Sequence, residues 1–238
     1  MNVFVTGGSR GIGRAIALRF AREGAERIAI GYLRNDSAAE EAAEELRVLG
    51  AEVTLVRGNV AEEKTVAELA SHGPYRVVVS NAATGVVRPA METEDKHWDW
   101  TINANARSLL ALARACAPTM EEGGSIVAIS SLGSQRVLPN YVLIGVSKAA
   151  LETCVKYLGV ELAPRIRVNA VSGGVVDTGA LDHFPNREEM LRAGSANPVG
   201  RLVAPDDMAG AVSFLSSPEA EMVRGQTLIV DGGFSLLA

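Results

Sequence analysis

Tyr141 and Lys148 are residues whose types and spacing could together handle protons and charge. Seven steps on an α-helix fall about 20° short of two full turns, so both side chains project from one face. A phenol donates hydrogen bonds, and an ammonium group on the same face favours its ionised form. Such a pair can stabilise negative charge as it develops on a substrate oxygen. Ser131 stands seventeen residues before the lysine, where it could touch a substrate or cap a local turn. A second chemical feature is TGGSRGIG at residues 6–13. Gly7, Gly11 and Gly13 let the backbone turn sharply and approach a pyrophosphate, which then rests on the N-terminus of the following helix. The motif predicts a dinucleotide site. The stretch GYLRNDS at 31–37 carries Arg34, and Arg10 lies inside the glycine turn. Both are basic groups placed to meet a ribose 2′-phosphate, so NADPH is the expected cofactor. Asp36 could instead bind a 2′-hydroxyl, but it adjoins SAAE at 37–40, which reads as a capping box. A helix-start role is expected for it.

These groups need a rigid frame. Apolar β-branched runs recur at 2–6, 27–32, 52–56, 76–80, 125–130, 165–171 and 227–230. They are apolar nearly throughout, as strands covered on both faces are. Helical patterns lie between them at 11–23, 37–49, 61–71, 96–120, 141–163 and 206–215. The alternation predicts an α/β fold: a doubly wound, Rossmann-type, parallel seven-stranded sheet with helices on both faces. With no repeat or linker in sight, residues 1–238 are read as one domain. The segment 179–200 breaks the alternation, holds a helical piece at 187–193, and reads as a substrate lid.

Composition narrows the classes. Of 238 residues, 47% are hydrophobic and 21% charged, which excludes a disordered chain. At this length a large core forms without disulfide staples. The net charge of −5 argues against nucleic acid. No apolar run approaches the roughly 18 residues of a membrane span. The N-terminal MNVFVTGG lacks a secretory pattern, so a cytoplasmic protein is expected, with Cys116 and Cys154 as buried thiols. His72, His97 and His183 are scattered, and no metal site is expected. Trp98 and Trp100 read as packing residues.

The Gly-x-x-x-Gly-x-Gly spacing of the first turn resembles that of the short-chain dehydrogenase/reductase family. SNAA at 80–83, NAVSGGVVDT at 169–178 and GQTLIVDGG at 225–233 are similar to further segments of that family, in the same order. Ser80, Ala83, Gly173 (for the usual proline) and Asn59 (for an aspartate that touches the adenine) are departures from its pattern. Most members place the active tyrosine four residues before the lysine, where this chain has Ile144. The tyrosine seven before it, in PNYVLIGVSKAALE, resembles the active-site helix of enoyl-acyl-carrier-protein reductases. Together with the glycine turn and Arg34, it resembles the NADPH-dependent enoyl reductase of the third type. DTGALDHFPNREEM at 177–190 is similar to that group's lid.

The resemblance implies reduction of the trans-2 double bond of an enoyl thioester, on acyl carrier protein or coenzyme A, in fatty-acid elongation. Tyr141 is implied as donor to the thioester oxygen, Lys148 as holder of the nicotinamide ribose, and Ser131 as the family's serine. Asn103, in preference to its neighbour Asn105, is implied as the structural asparagine that steadies a water beside the lysine. The implied cofactor contacts are Gly7, Ser9, Arg10, Gly11, Ile12, Gly13, Arg34, Asn59, Val60, Asn81, Lys148, Gly174, Val176 and Thr178. A homotetramer is implied as well, and the segment 108–117 is apolar almost all round. The alternative activity is reduction of 3-oxoacyl thioesters or other carbonyls, which calls for a tyrosine at position 144. A non-catalytic NADPH sensor would usually lack the Tyr–Lys pair.

Overall fold

The computed structural model describes residues 1–179, 181–183 and 187–237. The apolar runs form β1 (Asn2–Thr6), β2 (Arg27–Tyr32), β3 (Glu52–Arg57), β4 (Val77–Ser80), β5 (Gly124–Ser131), β6 (Ile166–Gly173) and β7 (Thr227–Val230). They pair in parallel throughout, in the order β3-β2-β1-β4-β5-β6-β7. The inner strands β4, β5 and β6 are buried along nearly their whole length, which explains why their sequences do not alternate. From β3 at one edge the chain crosses to β4 on the far side of β1, and the strand order reverses there. The connections leaving β1 and β4 therefore run to opposite faces of the sheet, the helix Gly11–Arg22 to one and the helix Ser108–Cys116 to the other, and open a crevice for a ligand beyond the strand ends.

The intervening helices are α1 (Gly11–Arg22), α2 (Asp36–Val48), α3 (Glu63–Ser71), α4 (Asp95–Ile102), α5 (Ser108–Cys116), α6 (Val142–Glu161), α7 (Arg187–Ser195) and α8 (Pro205–Ser216). One core holds Ile16 and Phe20 of α1 with Ile30, Met208 and Val212. The other holds Phe4 with Leu109 and Leu112 of α5 and Leu151 and Val155 of α6. At about 1.5–3 kcal/mol per large buried side chain, these two layers fix the strand ends that carry the site.

Several local expectations need correction. The helix expected over 96–120 is two helices, and the chain between them, Asn103–Arg107, widens into a π-helical turn. There the Ser108 amide donates to the Asn103 carbonyl, five residues back. Helix α2 is capped not by Ser37 but by Asn35, whose side chain accepts from the Ala38 amide at 3.0 Å. Ser37 instead donates to Glu41 at 3.0 Å, one turn on. Trp98 and Trp100 are 45% and 58% exposed, so they are not core packing. Their helix buries His97, whose ring meets Trp100 edge-on at 5.8 Å. Helix α5 buries one face through Leu109, Leu112, Ala113 and Cys116, while Leu110, Ala111 and Ala115 stay half-buried and Arg114 is exposed. Cys116 is buried and Cys154 half-buried. Residues 180 and 184–186 of the expected lid lie outside the described residues. Beyond them α7 runs to Ser195, and Arg187 at its start donates to Asp177 at 2.8 Å. Among the described residues, no helix is long and apolar enough to cross a membrane, and no His, Cys and carboxylate cluster could hold a metal.

Candidate active site

The glycine turn joins β1 to α1 at the crevice. Gly7 and Gly11 have φ of +65° and +54°, a region that residues with a side chain rarely adopt. A Cβ at Gly13 would fall 2.2 Å from the Gly7 carbonyl oxygen, so the turn closes only without one. Asn81, just past β4, fastens the turn from across the crevice. Its side-chain amide donates to the Thr6 and Gly7 carbonyls at 2.9 and 3.2 Å. The Thr6 hydroxyl in turn accepts from the Asn81 and Ala82 amides at 2.8 and 2.9 Å. No acidic residue occupies the first turn of α1, so the positive end of its dipole meets the crevice uncompensated. A backbone cradle of this kind, with no Cβ in the way, fits a pyrophosphate.

The other expected cofactor residues follow the carboxyl ends of β1, β2, β3 and β6. Ser9 is buried, and Ile12 packs against the core. Gly174 sits against Asp231, and Val176 bridges to Val203 beyond β6. Thr178 overhangs the turn: a Cβ on Gly11 would lie 3.4 Å from its methyl group. Asn59 and Val60 are half-buried past β3, where the Asn59 side-chain Oδ1 accepts from the Ala61 amide at 3.0 Å. Arg10 and Arg34 are exposed at the corner where β2 ends. They are not its only basic groups, because Arg57 stands opposite Tyr32 in the strand register. Arg57 also pairs with Asp36 at 3.2 Å, so that carboxylate has a partner besides its place at the helix start. The strand register decides this neighbour, and spacing along the chain does not show it.

Tyr141 is the cap residue just before α6. It follows Asn140, held at φ 61°, a left-handed conformation that asparagine tolerates. The Asn140 carbonyl accepts from the Arg88 amide at 2.9 Å, tying this corner to the loop after β4. The Tyr141 ring lies against Gly133, where a Cβ would fall 2.5 Å from two ring carbons. Its hydroxyl donates to the Ser131 Oγ at 3.3 Å. Burial pushes the phenol above its usual range, with the Ser131 bond working against that rise. The phenol is therefore a protonated donor at neutral pH.

Lys148 is 5% exposed, and its Nζ donates to the Ile129 carbonyl at 2.7 Å, which uses one of its three donors. Burial lowers its pKa to about 8, opposed by the charge of Glu152. The position four before it belongs to Ile144, buried against Gly85 so closely that a Cβ on that glycine would fall 2.3 Å from its Cγ1. One phenol and one hydroxyl thus meet at the start of α6, and one ammonium is buried two turns along it.

Of the two asparagines, the structure buries Asn105 rather than the expected Asn103. The π-helical turn leaves Asn103 half-buried and sends the Asn105 side chain into the interior. The Asn105 amide donates to the Ser147 hydroxyl at 2.8 Å and the Thr84 carbonyl at 2.9 Å, and its oxygen accepts from the Thr84 amide at 2.9 Å. It locks the loop after β4 onto α6 beside Lys148. Glu152, absent from the sequence expectations, is buried one turn beyond that lysine.

A family model described as Enoyl-(Acyl carrier protein) reductase matches residues 7–235. The chain is 36% identical over 243 residues to a 1-cyclohexenylcarbonyl-CoA reductase of Streptomyces collinus, covering 98% of this chain and 86% of that protein. It is 32% identical to a hydroxynaphthalene reductase-like protein, Arp2, of Metarhizium brunneum, covering 96% and 92% of the two chains. Its fold overlays that of a short chain dehydrogenase from Burkholderia cenocepacia, solved in complex with NADP, with a TM-score of 0.90 and 31% identity. That overlay covers 98% of this chain and 97% of the other. The fold, the glycine turn and these likenesses agree, and the chain belongs to the short-chain dehydrogenase/reductase family of oxidoreductases.

Proposed function

We propose that the protein reduces the trans-2 double bond of enoyl thioesters with NADPH. The observation that carries this reading is the displaced phenol: Tyr141 stands beside Ser131 at 3.3 Å, while Ile144 fills the position four before Lys148. When bound, NADPH supplies a hydride. Gly7, Ser9, Gly11, Ile12 and Gly13 would hold its pyrophosphate, with Arg10, Arg34 and Arg57 at the 2′-phosphate and Asn59 and Val60 at the adenine. Asn81, Lys148, Gly174, Val176 and Thr178 would hold the nicotinamide half. As the β-carbon is reduced, negative charge develops on the thioester oxygen and the Tyr141 hydroxyl donates to it; a proton from solvent then enters at the α-carbon as the enolate collapses to the saturated thioester. Such a donor is worth about 3–4 kcal/mol. The Lys148 ammonium favours charge at the phenol, and Ser131 orients the phenol.

The family model's description supports enoyl reduction. So does the name of the Streptomyces relative, which puts a ring double bond beside the carbonyl of a coenzyme A thioester. Both carriers, coenzyme A and acyl carrier protein, thus suit the reading, and fatty-acid elongation in the cytoplasm is its setting. The half-buried outer face of α5 supports assembly into a homotetramer; light scattering that reports a monomer at micromolar concentration refutes that part. The direct test of activity is NADPH oxidation with an enoyl thioester and a 3-oxoacyl thioester side by side. Faster enoyl reduction is expected. Faster 3-oxoacyl reduction overturns the proposal in favour of a carbonyl reductase using the Tyr141–Ser131 pair.

A further inference from the structure

The helix that carries Lys148 also carries a buried carboxylate one turn later. Glu152 is 8% exposed. Its Oε1 accepts from the Ser130 hydroxyl at 2.5 Å and the Ser134 hydroxyl at 2.6 Å, and its Oε2 accepts from the Gln135 side-chain amide at 3.3 Å. These three donors bracket Ser131 along the chain. The Ser134 hydroxyl also lies 2.8 Å from the Ser131 carbonyl, so its single proton serves either acceptor. The bracketed loop is also held by short-range bonds, Gly133 to the Ser131 Oγ at 3.3 Å and the Gln135 and Arg136 amides to the Leu132 carbonyl at 3.0 and 2.9 Å, and at its two ends by the Tyr141 hydroxyl on Ser131 and the Arg136 guanidinium on the Ser235 carbonyl. Apart from the Ser131 hydroxyl, it meets the start of α6 through glycines: Gly133 lies under the Tyr141 ring, and a Cβ on Gly145 would fall 2.6 Å from the Gly133 carbonyl.

We propose that Glu152 is a positioning residue: it clamps the loop after β5 to α6 and so sets where Ser131 and the Tyr141 hydroxyl stand relative to Lys148. The proposal rests on the reading of Tyr141 and Lys148 as the reacting pair. A carboxylate is suited to the task because two oxygens can hold three donors at once, and charge-assisted bonds of this kind are about twice as strong as neutral ones. A glycine-faced loop without such a clamp would slide on the helix. A misplacement of about 1 Å at a reacting group can cost about 100-fold in rate.

The test compares Glu152→Ala, Glu152→Gln and the wild type at about pH 6.5, well below the Lys148 pKa of about 8. Hydrogen exchange of the cofactor-free protein reads the loop directly. In Glu152→Ala, exchange across residues 131–136 is expected to rise about tenfold or more. Turnover of whichever thioester the wild type reduces should fall about 10- to 100-fold, with KM for NADPH within about threefold. Glu152→Gln keeps an oxygen for both hydroxyls and is expected to restore loop protection and most of the turnover. If Glu152→Ala does not fold, Glu152→Asp replaces it: one methylene shorter, it should loosen the loop and lower turnover while remaining folded. Wild-type turnover in the alanine or aspartate variant overturns the proposal, as does lost turnover with unchanged loop exchange, or no recovery in Glu152→Gln. Failure of the enoyl reading would show instead in the wild type's choice of substrate and would leave the loop exchange untouched.

Discussion

Replacing Lys148 by methionine should make the folded protein more stable while removing its grip on the cofactor. The lysine is almost fully enclosed, and burial lowers its pKa from 10.5 to about 8. Between those values the unfolded chain still holds a proton that the folded chain has released, so stability rises with pH across that window. Below the window both states are charged and the folded one carries the whole penalty, about 3 kcal/mol for a displacement of this size. Methionine has a similar length and no charge. It forfeits the bond to the Ile129 carbonyl, at a cost of about 1 kcal/mol. Glu152 loses a neighbouring cation but keeps its three donors. The balance is a gain of about 2 kcal/mol near neutral pH, or about 4–8 °C in Tm for a chain of this length. Calorimetry of the cofactor-free variant and wild type, near neutral pH and again above pH 10.5, checks both size and sign. The gain should vanish at the alkaline condition and leave a loss of about 1 kcal/mol, because the wild type no longer buries a charge and only the lost bond counts. A lower Tm for Lys148→Met near neutrality, or an equal gain at both conditions, would refute the argument.

Tyr141→Phe removes one donor and should lower enoyl turnover by about 10²- to 10³-fold with NADPH affinity kept, as steady-state kinetics beside a fluorescence titration would show. Gly133→Ala puts a methyl group where the Tyr141 ring lies, 2.5 Å from two of its carbons, so turnover should fall at least as far as in Tyr141→Phe. Circular dichroism confirms that this variant's fold persists. Arg34→Ala should weaken NADPH by about tenfold and leave NADH nearly unchanged. The loss sits at the low end for a charged hydrogen bond because Arg10 and Arg57 share the corner; equal losses for both cofactors would contradict the assignment.

The sheet was legible in the sequence because its strands are buried on both faces, and β-branched runs such as Val77, Val78 and Val79 have little other use. The glycine turn was legible for a related reason: Gly13 touches backbone, so its residue type is forced by space. Tyr141 and Lys148 were found through a spacing, and the fold brings the tyrosine to Ser131. What stayed hidden depends on bonds whose partners are distant or interchangeable along the chain. Asn103 and Asn105 differ by two positions, and only the widened turn between α4 and α5 decides which enters the site. Asn35 and Ser37 are both good caps, and the backbone at α2 chose the first. Glu152 looked like one more helix glutamate, since its donors arrive from a loop about twenty residues earlier. Arg57 reached the cofactor corner through strand pairing alone.

The widened turn at Asn103–Arg107 makes residue count, rather than residue type, the quantity that aims Asn105. A π-helical turn houses one residue more than the α-helical ladder takes, which puts α5 about 100° out of phase with a straight continuation of α4. Burial follows the shift: Ala104, Asn105 and Ala106 are buried in succession, a run that one face of a regular helix does not produce. Point substitutions within the turn change a local contact. Deleting one residue there would let the ladder close into an unbroken helix. Either Asn105 or the apolar stripe of Leu109, Leu112 and Cys116 would then rotate off its target. The active site and the core are geared to each other through a single surplus residue.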